Sequence, residues 1–176
     1  MSSLSKEFLS SSIRRFRYYK ELGDKTFEQL NDWDFHYQPN EESNSIAIII
    51  QHMAGNMRSR WTNFLQEDGE KEWRNRDTEF EEQQLSKEQL LNKWNEGWDC
   101  FLAAVKNLTE DDLQKTITIR SEPLSVIDAL NRQLAHYPYH VGQIVYIGRM
   151  IKADQWKSLS IPKGKSDEFN SQMKHK

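Results

Sequence analysis

Four stretches of the chain repeat their apolar residues at helical spacing, and each predicts an amphipathic helix. In the first, from about Leu4 to Leu30, Phe8, Leu9, Ile13, Phe16, Phe27 and Leu30 fall on one side, while Arg14, Arg15, Arg17 and Lys20 lie elsewhere. A polar connector, Asn40 to Asn44, follows Pro39, and Asn44 or Ser45 suits the N-cap of the second helix. That helix, Ile46 to about Gln66, carries Ile46, Ile50, Met53, Met57, Trp61 and Phe64 as its stripe. The third has the clearest start: Ser86 with Gln89 fits a capping box, and Leu85 with Leu90 a hydrophobic staple. Leu91, Trp94, Trp98, Phe101, Leu102, Val105 and Leu108 then share a face. The fourth runs from about Ser125 to Lys152, with Val126, Leu130, Leu134, Tyr137, Val141 and Ile144 facing inward.

The links between these helices carry their own signals. Glu67 to Leu85 is long for a connection within a compact helical domain, where two to eight residues is usual. Such a length can carry the chain back along the molecule, so that helices two and three run parallel. It would then bring Trp73, Arg74, Arg76 and Asp77 to the end where His52 lies; the alternative is a solvated loop whose charges pair locally. Before helix four, TITIR alternates over five residues and predicts one short strand, isolated or half of a small hairpin. The tail from Trp156 is expected to be irregular, with Trp156, Leu159 and Ile161 lying back on the core. The expected architecture is therefore all-α, four helices in a single domain spanning residues 1–176, with its core at about 4–155.

The candidate chemistry sits beside the apolar stripes. His136 and His140 are four residues apart, just over one helical turn, so both imidazoles leave the same face of helix four. His52 flanks the stripe of helix two, in a column with Ser45, Asn56, Ser59 and Asn63 whose small polar side chains leave room beside the ring. Two histidines from one helix and one from a neighbour can hold a divalent metal with a position left open. Imidazole suits zinc, nickel, copper or iron, and such an ion could activate either water or a substrate thiol. The competing possibility is that all three are core-edge histidines that are merely hydrogen-bonded. Pro138 bears on the choice, since a proline within a helix removes one backbone bond and can distort the His136 to His140 spacing. Gln143, one turn past His140, and Asn56, one turn past His52, are the candidates to orient the rings.

Other residues narrow the picture. Arg58, Arg60, Arg74 and Arg76 suit either an anionic substrate group, such as a carboxylate, or surface ion pairs. His36 lies in a loop-like stretch and His175 in the tail, neither with a partner at ligand spacing. The single cysteine, Cys100, excludes an intrachain disulfide and points off the core face. No phosphate-binding loop, dinucleotide fingerprint or H-E-x-x-H motif is present. A net charge of −3 and a pI near 6.0 argue against a nucleic-acid partner. No apolar run could span a bilayer and no secretory signal opens the chain, so a cytoplasmic location is expected.

The order of four amphipathic helices, with one histidine on helix two and HxxxH-then-Gln on helix four (His136, His140, Gln143), resembles the DinB-like (YfiT-type) metalloenzyme superfamily. The run NSIAIIIQHMAGNMRSRWTNFLQEDGEKEWRNRDTEF, with HYPYHVGQIVYIGRM and SLSIPKGKS, is similar to one subgroup of unassigned function, and the likeness extends from about Leu4 to Asn170. It implies a four-helix bundle with a long crossover between helices two and three, often a homodimer. It also implies a zinc or nickel site with His52, His136 and His140 as ligands. Some members are similar to transferases or isomerases that use a low-molecular-weight thiol such as bacillithiol, mycothiol or glutathione. A metal-dependent thiol S-transferase or hydrolase acting on a small electrophilic molecule is the enzymatic expectation; the alternative is a non-catalytic helical protein with a structural or self-association role.

Overall fold

A computed structural model describes residues 3–174, and His175 lies outside them. Four long helices carry most of the chain: α1 (Leu4–Phe27), α2 (Ile46–Trp61), α3 (Lys87–Lys106) and α4 (Val126–Lys152). A hairpin of β1 (Thr116–Ile119) and β2 (Glu122–Ser125) precedes α4, and α5 (Ser166–Met173) lies near the end. The chain is thus mostly helical, and the short strand expected before helix four is one half of a two-stranded antiparallel hairpin. α5 corrects the irregular tail, although every one of its residues is exposed. Trp156 and Leu159 are half-buried, whereas Ile161 is exposed. Among the described residues no helix is long and apolar enough to cross a membrane.

Each of the four long helices starts where a hydroxyl can accept from an otherwise unpaired backbone N–H. Ser3, Ser45, Ser86 and Ser125 cap α1 to α4, and Ser86 with Gln89 forms the complete capping box. α2 ends at Trp61, earlier than expected, because Asn63 turns into the left-handed region at φ 49°. Lys87 Nζ donates to the carbonyls of Phe27 and Leu30, which ties the start of α3 to the end of α1.

Helices α2 and α3 run in the same direction. Ala54 and Met57 lie against Gly97, and farther along Thr62 meets Cys100, so residue numbers rise together. A Cβ at Gly97 would sit 2.9 Å from the Cα of Ala54, so only glycine permits this close approach. The core between the helices is aromatic: Phe16, Trp94, Trp98, Phe101 and Tyr137 are essentially inaccessible and meet edge to face.

The long connection makes the parallel arrangement possible. It leaves α2 beside the hairpin, where Gly69 N–H donates to the Thr118 carbonyl and Ser59 Oγ–H to the Gly69 carbonyl. It then follows α2 backward through a 3-10 turn at Asp77–Phe80 and reaches the cap of α2, where Ser45 Oγ–H donates to Glu82. Lys71 and Glu79 are buried along this path, while much of the rest is exposed and charges pair locally, Lys71 with Glu67 and Arg74 with Glu79.

Candidate metal centre

His52 on α2 and His136 and His140 on α4 converge, with one ring nitrogen of each within 4.8 Å of the other two. Nε2 of His136 lies 3.0 Å from Nε2 of His140 and 3.4 Å from Nε2 of His52. α4 continues unbroken through Pro138, so the proline leaves both imidazoles on one face. His52 and His140 are buried and His136 is half-buried.

The other nitrogen of each ring meets an oxygen. Nδ1 of His52 is 3.0 Å from Oε2 of Glu79, Nδ1 of His140 is 2.8 Å from Oε1 of Gln143, and Nδ1 of His136 is 3.4 Å from Oε1 of Gln133. A carboxylate or amide oxygen only accepts, so Nδ1 is the donor in each contact, and in a neutral ring Nε2 then presents its lone pair to the shared centre. Gln143 is oriented in turn, its Nε2–H donating to the Tyr139 hydroxyl.

Three lone pairs aimed at one another repel unless a cation lies between them. A proton is a poor candidate: burial, followed by the neighbouring His140 and His52 and then Arg132 and Arg74, pushes His136 down to about 3. Burial also lowers His140, although Gln143 opposes it. Both rings therefore remain in the neutral form that ligates metals at neutral pH. Metal–nitrogen bonds of about 2.0–2.1 Å place tetrahedral ligand nitrogens roughly 3.3 Å apart and octahedral neighbours roughly 3.0 Å apart. The two separations at His136 fall at these values and the third pair lies within 4.8 Å, so the residues could close on a divalent ion.

Glu79 is the functional residue that helical periodicity does not find. Burial alone would raise its carboxyl, but hydrogen bonds from Arg74 and His52 outweigh that and hold it below the ordinary range. Arg74 grips it with two parallel bonds, Nε to Oε1 at 2.8 Å and Nη2 to Oε2 at 2.9 Å. Gly55 makes room, since a Cβ there would collide with Oε1 and Cδ of Glu79. The only sequence signals were the length of the connection and the glycine one turn-step from His52.

Other expected residues are distributed differently. Asn56, expected to orient His52, instead accepts from the Tyr137 hydroxyl at 3.2 Å, and that hydroxyl accepts from Trp61 Nε1–H at 3.1 Å. Burial, only partly offset by Trp61, raises the Tyr137 phenol and keeps it protonated. Trp73 is exposed beneath Arg58, and the side chain of Asp77 faces solvent. Arg74 and Arg76 do reach the cavity next to His52 and His136. Arg58 does not line it, and Arg60 does, its guanidinium paired with Glu70. His36 and Cys100 stand outside the cluster.

A search of curated proteins finds no match to this chain. Residues 3–165 match the family described as "Protein of unknown function (DUF1572)", and the chain belongs to that family.

Proposed function

We propose that this chain holds one divalent ion, zinc or nickel, on Nε2 of His52, His136 and His140, and that it is a metal-dependent enzyme. Its reaction in this reading is activation of a thiol or water for S-transfer to, or hydrolysis of, a small electrophilic molecule. The observation that carries the reading is the convergence of three ring nitrogens whose opposite ring atoms are each held by an oxygen. The sequence likeness to the DinB-like superfamily points the same way, and in this reading α1 to α4 are its four-helix bundle with the long crossover.

When bound, such an ion lowers the pKa of a coordinated thiol or water, which makes a nucleophile available at neutral pH. The protein's own groups do the positioning. Glu79 fixes the tautomer and orientation of His52 and adds negative charge behind it; Gln143 and Gln133 do the same for the α4 rings without charge. Three protein ligands leave a position for substrate, and the cavity beside His52 and His136 gives access to it.

Titration of chelator-treated, untagged protein with zinc and with nickel tests the site. One equivalent should bind and raise the melting temperature, and His136→Ala should weaken the binding by at least about a hundredfold and shrink the rise. Absence of binding, with an unchanged melting temperature, leaves a helical scaffold with no catalyst. Conjugation of an electrophile with and without a low-molecular-weight thiol separates the two reactions: turnover that needs no thiol removes the transferase and leaves the hydrolase.

A further inference from the structure

Against a chain-wide charge of −3, one cavity is strongly positive. It has a volume of about 290 Å³ and opens beside His52 and His136. Arg60, Arg74, Arg76, Arg120 and Arg132 line it. Two carboxylates answer these five guanidiniums directly. Glu70 is shared by Arg60 and Arg120, and Glu79 is held by Arg74. Asp77 is 4.0 Å from Arg76, with its side chain almost wholly in solvent, so it neutralises little. Arg132 has no ion-pair partner among the described residues.

Arg74 forms part of the cavity wall. Its side chain is only 2 % exposed, and its Nε and Nη2 edge is fixed on Glu79. Nη1, on the opposite side of the same plane, is buried without any hydrogen-bond partner. A buried cationic donor left unpaired is costly, and it calls for an acceptor beside it, whether water, ion or ligand. The group that satisfies it must accept hydrogen bonds and tolerate, or require, positive charge around it. A carboxylate or phosphate oxygen does both, and a guanidinium edge matches either.

We infer that this cavity binds the anionic group of a small-molecule substrate, a carboxylate or phosphate, on Arg74 Nη1 with Arg76 and Arg132 at its rim. The remainder of that molecule then lies against His52 and His136. This inference rests on the metal-centre reading for its catalytic meaning, but not for anion binding itself. It narrows the electrophile to anionic small molecules. It also gives the crossover connection a second task, since the segment that delivers Glu79 to His52 delivers Arg74 and Arg76 to the substrate.

Calorimetric titration of the full chain, both chelator-treated and zinc-loaded, with inorganic phosphate and separately with succinate, tests this. At least one anion should bind at one equivalent in either form. Arg132→Gln should weaken it about tenfold or more, as expected for loss of one charge-assisted contact. Arg74→Lys, which keeps the charge but loses the fork, should weaken it further. Lys93→Gln, an equal change in net charge elsewhere, should leave it unchanged. Tighter binding of phosphate or of succinate identifies which oxyanion the site takes. No saturable binding of either anion in both forms overturns the inference, as does binding that ignores both arginine substitutions, which would place the anion on zinc or on diffuse charge. Zinc is titrated in parallel. Zinc binding without anion binding removes this inference alone, and anion binding without zinc binding removes the metal centre alone.

Discussion

His36 and the cluster of His52, His136 and His140 belong to the same molecule and are built from the same side chain, but their surroundings differ in kind. Nδ1 of His36 meets the Glu82 carboxylate, and its Nε2 lies 2.9 Å from the Leu85 carbonyl. Both nitrogens are occupied by the protein, and the ring ties the segment before α2 to the end of the crossover. In the cluster only Nδ1 of each ring has an oxygen partner, and the three Nε2 atoms are turned on one another. A histidine with both nitrogens hydrogen-bonded fastens a structure. Three with one face each held and the other convergent make a cluster that could hold a cation.

The sharpest way to break this contrast is to remove one histidine from each region. His136→Ala should lower zinc affinity by at least about a hundredfold, since one of three strong ligands is lost. His36→Ala should leave zinc affinity unchanged while lowering the denaturation midpoint, which titration and urea melts on both variants will check.

Glu79→Gln comes next. It keeps an oxygen near Nδ1 of His52 but removes the charge and half-releases Arg74. Zinc affinity should fall roughly 10- to 100-fold, as for other outer partners of metal-bound histidines. Gly55→Ala should act in the same direction by displacing the carboxylate, and competition with a chromophoric chelator reads both.

Acidification separates the regions through protons. The folded protein keeps His136 neutral down to about pH 3, whereas an unfolded histidine takes up a proton near 6.5. Between those values the unfolded chain binds more protons, so metal-free protein should lose stability progressively as pH falls from about 6.5 towards 3. Denaturant midpoints of His136→Gln protein should vary less steeply over that interval. The smallest effect is expected for Gln143→Ala, a few-fold weakening of zinc, because its neutral amide orients His140 without adding charge behind it.

The helices, and the shared face of His136 and His140, were legible because periodicity and capping act within a few residues of sequence. The meeting of those rings with His52 required tertiary packing, which the sequence offered only as one of two possibilities. Glu79 was legible only through the length of its connection and Gly55: it reaches His52 from outside the long helices, and no spacing rule links such a carboxylate to a helix 27 positions away. The second strand was obscured for a related reason. Arg120 and Ser121 adopt left-handed conformations at φ 56° and 62°, which ordinarily calls for asparagine or glycine. Here both backbone N–H groups donate to the carboxylate of Asp68, at 2.8 and 2.7 Å, so the turn is fixed from a distant loop. That carboxyl is pulled down to about 2, chiefly by the Glu70 backbone N–H together with those of Ser121 and Arg120, against the opposing effect of burial. In both cases the deciding contact comes from the crossover.

The most direct test of the central claim is X-ray absorption at the zinc edge on protein loaded with one equivalent. The account predicts imidazole scattering from three nitrogen ligands at about 2.0 Å, reduced in His136→Ala and unchanged in His36→Ala. A shell of oxygens alone, sulfur scattering from Cys100, or a spectrum indifferent to His136→Ala would contradict it.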